Sequence, residues 1–133
     1  MKAEYNKGFE QYISEMKPGV EQAIMRTLRM GHENAILKKD LLRKVKENGF
    51  LVHERTIRYG INRLRKSGVL IGSTGGTQGG YWICRDREEL NEYMNRELKT
   101  RIKDMREQIV QMTKTADKIW TADSSQLSLD MPF

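Results

Sequence analysis

Basic side chains are concentrated in one stretch of this sequence, and they indicate which ligand chemistry the chain is equipped for. Residues 38–66 have a local charge balance of +7, although the whole chain has a net charge of only +6. This clustering is typical of a surface that binds a polyanion. The basic members are Lys38, Lys39, Arg43, Lys44, Lys46, Arg55, Arg58, Arg63, Arg65 and Lys66, against the acidic Asp40, Glu47 and Glu54.

The stretch HERTIRYGINRLRKSG, residues 53–68, predicts a helix with a polar open face. Ile57, Ile61 and Leu64 recur at helical spacing and predict a buried face. Gly60 permits close approach of another helix, and Gly68 ends the helix. A helix with such a face fits the major groove of duplex DNA, where an arginine side chain can read guanine and an asparagine side chain can read adenine. The side chains left on the open face are Arg55, Arg58, Tyr59, Asn62, Arg63 and Lys66.

Three earlier helices and one short extended step are expected to support this helix. Apolar residues at helical spacing predict an amphipathic helix over residues 2–16, and Pro18 ends it and suits the first turn of a second helix. An extended step at Ala35–Leu37 precedes a further helix that Gly49 terminates. The predicted inward residues are Tyr5, Phe9, Tyr12, Ile13 and Met16 in the first helix, Val20, Ala23, Ile24, Thr27 and Leu28 in the second, and Leu41, Leu42 and Val45 in the third.

The sequence VLIGS, TGGTQGG, YWIC predicts two strands joined by a glycine-rich hairpin. Ser73, Thr74, Thr77 and Gln78 are neutral donors, and the glycines let backbone amides approach phosphates closely. A nucleotide-binding loop is disfavoured because the loop lacks the lysine and the following helix that such a site needs. The loop has no lysine or arginine to insert between bases or into a groove, so we expect it to contribute positioning contacts rather than base contacts.

From Asp86 the sequence predicts a single helix to about Trp120, with Asp86 as N-cap and Glu89 completing a capping box. Leu90, Met94 and Leu98 suit packing on the preceding domain. Heptad spacing follows, which is compatible with a homodimeric coiled coil or with packing against the N-terminal helix. The heptad residues are Ile102, Met105, Ile109, Met112, Ala116 and Ile119.

The order of elements over residues 18–119 resembles a winged helix-turn-helix, on the stretches AILKKDLLRKV, ERTIRYGINRLRKSGVLI and GGTQGGYWI. It is similar to winged-helix domains of bacterial regulators, especially small proteins of phages and mobile elements. The resemblance implies a mainly α fold with a small β-hairpin wing and a long C-terminal helix. It divides the chain into residues 1–17, 18–85, 86–120 and a flexible tail at 121–133. The implied contacts to double-stranded DNA are Lys39, Arg55, Arg58, Tyr59, Asn62, Arg63, Lys66, Thr74, Thr77 and Gln78.

The chain ends in QLSLDMPF, whose large apolar residues no regular element requires. QLSLDM resembles the bacterial sliding-clamp-binding peptide, Gln-Leu-x-Leu-x-apolar. The resemblance implies that Gln126 hydrogen-bonds at the rim of a polar notch and that Leu129 and Met131, helped by Phe133, fill adjoining hydrophobic pockets. Leu127 is the remaining partner-binding residue of the motif. DMPF also resembles the C-terminal end of bacterial single-stranded-DNA-binding proteins. The run of acidic residues that precedes Pro-Phe in those proteins is missing from this chain. An inert terminus is the third alternative.

Other chemistry finds little support in the sequence. Cys84 is the only cysteine, so an internal disulfide is impossible, and with two histidines it cannot build a structural zinc site. We expect a cytoplasmic, non-enzymatic protein without metal or cofactor. Three hypotheses follow: a DNA-binding accessory protein tethered to the sliding clamp in replication or transcription, a dimeric transcription regulator with an inert tail, or a clamp inhibitor whose winged helix binds protein.

Overall fold

The computed structural model describes residues 2–76 and 79–120, with the side chains described from residue 8 onward. It has a mainly helical architecture with a small antiparallel sheet and a long C-terminal helix, as the sequence predicted. The helices are α1 (Lys2–Glu15), α2 (Val20–Thr27), α3 (Lys38–Glu47), α4 (Glu54–Lys66), α5 (Arg87–Tyr93) and α6 (Lys99–Ile119). The strands are β1 (Ile36–Leu37), β2 (Ile71–Ser73) and β3 (Gly80–Ile83).

The sheet has the order β1-β3-β2 with antiparallel neighbours. In the hairpin, Ile71 pairs with Ile83 and Ser73 pairs with Tyr81, which confirms the predicted pair of strands around the glycine-rich loop. Ile36 pairs with Tyr81 from the other side, so the short extended step forms an edge strand. The hairpin is thereby attached to the start of α3.

The core of the first compact unit lies between α2, α3, α4 and the sheet. Helix α4 contributes Ile57, Ile61 and Leu64, which are buried as predicted. A Cβ atom at Gly60 would lie 2.9 Å from Cδ1 of Ile24, so glycine permits the close approach of α2 and α4. The other buried core residues are Ala23, Ile24, Met25, Leu28, Leu41, Val45, Val52, Ile71, Tyr81 and Ile83.

Helix α1 ends one residue earlier than predicted, and its Phe9 and Ile13 pack on this core together with Met16, which follows the helix. Tyr12, which was predicted to face inward, is exposed. The Gln22 side-chain amide donates to the Ile13 carbonyl at 3.0 Å and fastens the end of α1 to α2. The prediction that Pro18 opens α2 is wrong. Extended backbone at the next residue, Gly19, with φ 162° and ψ −171°, delays the start of the helix to Val20.

The chain divides into two compact units between Leu90 and Asn91. The predicted unbroken helix is wrong in one respect, because a π-helical turn at Met94–Leu98 separates α5 from α6. Thr100, in the first turn of α6, donates its hydroxyl to the carbonyl of Asn95 in the π-helical turn at 3.3 Å. Such widened turns are rare in α-helices, and a periodic apolar pattern does not predict them.

The N-terminal cap of α5 also differs from a capping box. The Asp86 carboxylate accepts from the Glu89 N–H at 2.9 Å, as predicted for an N-cap. The Glu89 carboxylate, however, accepts from the N–H of Arg85 at 3.1 Å rather than from that of Asp86. The reciprocal bond is therefore displaced by one residue, and the cap reaches into the segment that follows β3.

Most of the heptad stripe on α6 is exposed, although Ile109 is half-buried and Ala116 is buried. Met105 is 61% exposed, Met112 71% and Ile119 63%. Phe9 and Ile13 of α1 pack against the core of the first unit. Within the described ranges, no helix combines the length and apolar character that crossing a membrane requires.

Candidate nucleic-acid interface

Helix α4 is fixed at both ends by local hydrogen bonds. His53 has extended backbone at the N-cap, with φ −111° and ψ 169°, and its N–H donates to the Thr56 hydroxyl at 3.4 Å. At the other end, the Ser67 hydroxyl donates to the Leu64 carbonyl at 2.7 Å, and Gly68 has a positive φ of 103° that favours glycine. The side chains along α4 are therefore presented from a helix with defined ends.

The outward face of α4 presents the predicted side chains to solvent. Tyr59 is 59% exposed, so its ring is accessible to a ligand. From Arg55 to Lys66 the face extends roughly 16 Å at 1.5 Å per residue, about five nucleotide steps of 3.4 Å. The exposed residues of this face are Arg55, Arg58, Tyr59, Asn62, Arg63 and Lys66.

Arg63 differs from the rest because it lies beside α2. Its Nε donates to Oε1 of Glu21 at 2.6 Å, while 70% of the Arg63 side chain stays exposed. A surface pair of this kind contributes roughly 0–1 kcal/mol to stability. The carboxylate offsets part of the local positive charge, so Arg63 forms the edge of the basic face rather than its centre.

Arg65 belongs to the basic stretch but serves as an internal brace. Its Nε donates to the Ile71 carbonyl at 2.9 Å and its terminal nitrogen donates to the Ser73 hydroxyl, also at 2.9 Å. Counting it as part of a polyanion-binding surface was therefore wrong. Helical spacing in the sequence could have indicated this role, because Arg65 follows the buried Ile61 by four residues and therefore lies at the margin of the same helical face.

Helix α3 adds a second group of cations. Lys39 is exposed, whereas Lys38 is half-buried with its Nζ 5.8 Å from the ring centroid of Tyr81, within the range of a cation–π contact. Arg43 lies 3.5 Å from the Asp40 carboxylate on the same helix. Of these three cations, Lys39 is therefore the one best placed to meet a ligand.

The described part of the hairpin loop is closed by Thr74. Its N–H donates to the Gly80 carbonyl at 3.1 Å, and its half-buried hydroxyl accepts from the Gly80 N–H at 3.3 Å. Gly76 has a positive φ of 85°. Thr77 and Gln78 lie outside the described residues, so their predicted contacts stay predictions. The position of Thr74 favours a role in closing the loop.

The base of the hairpin is rigidified by a buried tryptophan that sequence reasoning did not identify. The Trp82 ring stacks on His32, with centroids 4.0 Å apart and planes at 11°. A Cβ atom at Gly72 would lie 2.6 Å from the indole, so only glycine leaves room for the ring. The sequence carried no signal for this contact, because His32 lies in a short 3-10 turn far from Trp82 along the chain.

Leu51 was also missed by the sequence analysis. It is fully exposed, at 103% of the reference area, and lies three residues before α4 begins. Its apolar side chain is thus presented beside the N-terminus of the helix with the basic face. Apolar contact with thymine methyl groups is one known use of such a side chain in DNA recognition.

The structure offers no reactive centre at Cys84. The residue is only 1% exposed, and burial, assisted by the nearby Glu89 carboxylate, raises the pKa of its thiol to about 11. Because the thiolate is the reactive form, this cysteine is inert at neutral pH. Among residues 2–76 and 79–120, no cluster of three or more His, Cys, Asp or Glu side chains is arranged to hold a metal ion.

Comparison of the chain with protein-family models, curated proteins and solved structures found no significant match. The candidate peptide Gln126, Leu127, Leu129, Met131 and Phe133 lies outside the described residues. The case for a function therefore depends on the geometry of α4 and its supports, and on the sequence of the tail.

Proposed function

We propose that this protein is a winged helix-turn-helix DNA-binding accessory protein of the phage and mobile-element type. In this proposal, α4 is the recognition helix and enters the major groove of duplex DNA. The loop between β2 and β3 is the wing. The C-terminal QLSLDM peptide tethers the protein to the bacterial sliding clamp, and so brings the DNA-binding unit to sites of replication.

The observation that carries the proposal is the division of α4 into two faces. Ile57, Ile61 and Leu64 are at most 3% exposed, so one face is fixed in the core. The opposite face presents Arg55, Arg58 and other polar side chains to solvent. A rigid helix with a free cationic face about 16 Å long has the dimensions to reach base edges in a major groove.

Supporting residues favour a division of labour in this interface. Asn62 lies between Arg55 and Lys66 on the face and has the bidentate geometry that suits adenine. Arg63, paired with Glu21, and Lys39 on α3 suit phosphates on either side of the groove. The hairpin loop, with its glycines and Thr74, suits backbone contact without reading sequence.

The test is a titration of fluorescently labelled duplex DNA with the full chain, read by fluorescence anisotropy over a series of salt concentrations. Binding through several phosphates releases counterions, so log K should fall linearly with log salt, with a slope of about −0.9 per phosphate contact. We expect a slope of about −3 to −5 from the exposed cations of α4 and α3. A flat salt response would overturn the DNA-binding proposal.

The proposal that the tail binds the clamp is supported by the resemblance of QLSLDM to the clamp-binding peptide and by a separate argument about binding energy. Three apolar side chains that fill pockets contribute roughly 1.5–3 kcal/mol each, and ordering costs reduce this to micromolar affinity. Weak binding of this kind is useful when it is combined with weak DNA binding, because each contact raises the effective concentration of the other.

Purified bacterial sliding clamp and the full chain should therefore bind each other in isothermal titration calorimetry. Leu129→Ala is expected to remove a pocket-filling side chain and weaken binding by about tenfold or more. Ser128→Ala is the matched control, because the motif leaves this position free. Equal binding by both variants, or none by the native chain, would remove the clamp from the proposal and leave DNA binding to stand alone.

A further inference from the structure

Helix α6 carries an apolar stripe in which Ile102, Met105, Met112 and Ile119 are exposed, Ile109 is half-buried and the small Ala116 is buried. Its residues recur alternately three and four apart, which predicts that another helix packs along it in a coiled coil. We propose that this helix is α6 of a second copy, running antiparallel, with the two-fold axis passing between Ile109 and Met112. The stripe consists of Ile102, Met105, Ile109, Met112, Ala116 and Ile119.

The spacing of the stripe supports pairing with itself in the reverse direction. Read from either end, the intervals between successive stripe residues are the same. A second copy turned by a two-fold rotation therefore meets every apolar residue with an apolar residue. Ile102 of one copy faces Ile119 of the other, and Ile109 faces Met112.

Side-chain size favours the antiparallel orientation over the parallel one. In the antiparallel register Met105 of one copy faces Ala116 of the other, so the longest side chain type meets the smallest. A parallel pair sets Ala116 against Ala116 and Met105 against Met105, which leaves one layer underfilled and another crowded. Cores are most stable when large and small residues alternate across facing positions.

Charge favours the same orientation. A parallel pair brings Arg101 of one helix near Arg106 of the other, and two-fold symmetry repeats this repulsion. The antiparallel pair instead brings Arg106 near Thr113 of the second copy. It also brings Lys99 near Trp120, whose ring is 65% exposed and available for a cation–π contact.

The decisive experiment is crosslinking with a short bis-maleimide in the full chain. In the antiparallel dimer, residue 102 of one copy lies next to residue 119 of the other, whereas identical positions are roughly 25 Å apart along the axis. An equimolar mixture of Ile102→Cys and Ile119→Cys should therefore crosslink, and neither variant alone should. Wild-type protein, with Cys84 buried, measures the background, and Lys114→Cys, off the stripe, measures random collision.

A second measurement avoids introduced cysteines. Sedimentation equilibrium of the wild type should give a mass approaching that of a dimer at high protein concentration. Met112→Asp should weaken association by about tenfold or more, because it buries a charge at the centre of the interface. Lys114→Asp is the matched control and should leave association unchanged.

Crosslinking of Ile102→Cys with itself would indicate a parallel pair and overturn the proposed orientation. A monomeric mass at every concentration would overturn the second copy as the occupant, and would point to another partner or to the chain's own tail. A dimeric mass that Met112→Asp does not change would place the interface elsewhere and overturn the proposal. None of these outcomes depends on whether the protein binds DNA.

Discussion

In helices α4 and α6 the apolar residues have similar spacing, yet the two apolar faces differ in how far they are buried. In α4 the apolar face is covered by the chain itself, and Ile61 is 1% exposed. In α6 four of the six stripe residues are exposed, and Met112 is 71% exposed. Spacing therefore identifies an apolar face, but only the rest of the fold shows whether the chain provides the surface that covers it.

The difference arises from the neighbours of each helix. Helix α4 has Gly60 at the point where Ile24 of α2 approaches, so two helices can pack closely. Helix α6 follows the π-helical turn at Met94–Leu98, in the second compact unit. One helix is consequently fixed and presents its polar face, whereas the other presents its apolar face.

The largest expected effect concerns these apolar faces. Ile61→Ala should lower the free energy of unfolding by about 2–5 kcal/mol, because it leaves a cavity in a closed core. Met112→Ala should change it by less than about 0.5 kcal/mol in dilute protein, where the stripe is solvated. Urea denaturation followed by far-UV circular dichroism, which reports on all the helices, measures both losses, and equal losses would contradict the difference between the two apolar faces.

Thiol reactivity provides a second comparison. Burial raises the pKa of Cys84 from an ordinary value of 9.0 to about 11. Ellman's reagent at pH 8 should therefore label native Cys84 about 100-fold or more slower than a cysteine introduced as Met105→Cys. Comparable rates would show that Cys84 is accessible.

The same shift predicts how stability changes with pH. Between pH 9 and 11 the unfolded chain loses the thiol proton while the folded chain retains it, so rising pH favours unfolding over this window. Cys84→Ala should reduce this dependence. Denaturation midpoints measured across the window in both proteins check the prediction, and identical slopes would contradict it.

A smaller effect should separate the packed base of the hairpin from its open loop. Gly72→Ala places a methyl group 2.6 Å from the buried Trp82 ring and should cost about 1–3 kcal/mol. Gly75→Ala is the matched control, since a Cβ atom there would meet nothing within 4 Å and the φ of Gly75 is not positive. Thermal denaturation should give a lower midpoint for Gly72→Ala than for Gly75→Ala. Equal midpoints would contradict the argument that Gly72 makes room for the Trp82 ring.

The smallest effect distinguishes two arginines of α4. Arg65→Met removes two hydrogen bonds to β2 and should cost about 1–2 kcal/mol. Arg63→Met removes a surface ion pair with Glu21 and should cost less than about 1 kcal/mol. Chemical denaturation measures the loss of stability in each variant. A larger loss for Arg63→Met than for Arg65→Met would contradict the assignment of Arg65 as the brace.

Local patterns were sufficient to predict the helices, the hairpin and the buried face of α4. Ile57, Ile61 and Leu64 lie within two turns, so their shared face depends only on helical geometry. The π-helical turn was not predictable in this way, because it changes the period locally without interrupting the apolar pattern. Nor was the start of α2, which depends on the extended backbone of Gly19.

The candidate site was predictable in outline but not in the role of each cation. Arg58, Arg63 and Arg65 have the same chemistry, and only tertiary neighbours distinguish them. Glu21 is 42 positions from Arg63 along the chain, and the acceptors of Arg65 lie on β2. Sequence therefore locates a basic surface, whereas the fold decides which of its charges are available to a ligand.

The most direct test of the account compares two charge reversals that change the net charge equally. Arg58→Glu alters the open face of α4, and Lys114→Glu alters an exposed position of α6 away from the stripe. In anisotropy titrations with duplex DNA, Arg58→Glu should weaken binding by about tenfold to hundredfold, with Lys114→Glu close to wild type. Equal weakening by both would mean that overall charge, rather than α4, accounts for binding, and would contradict the central claim.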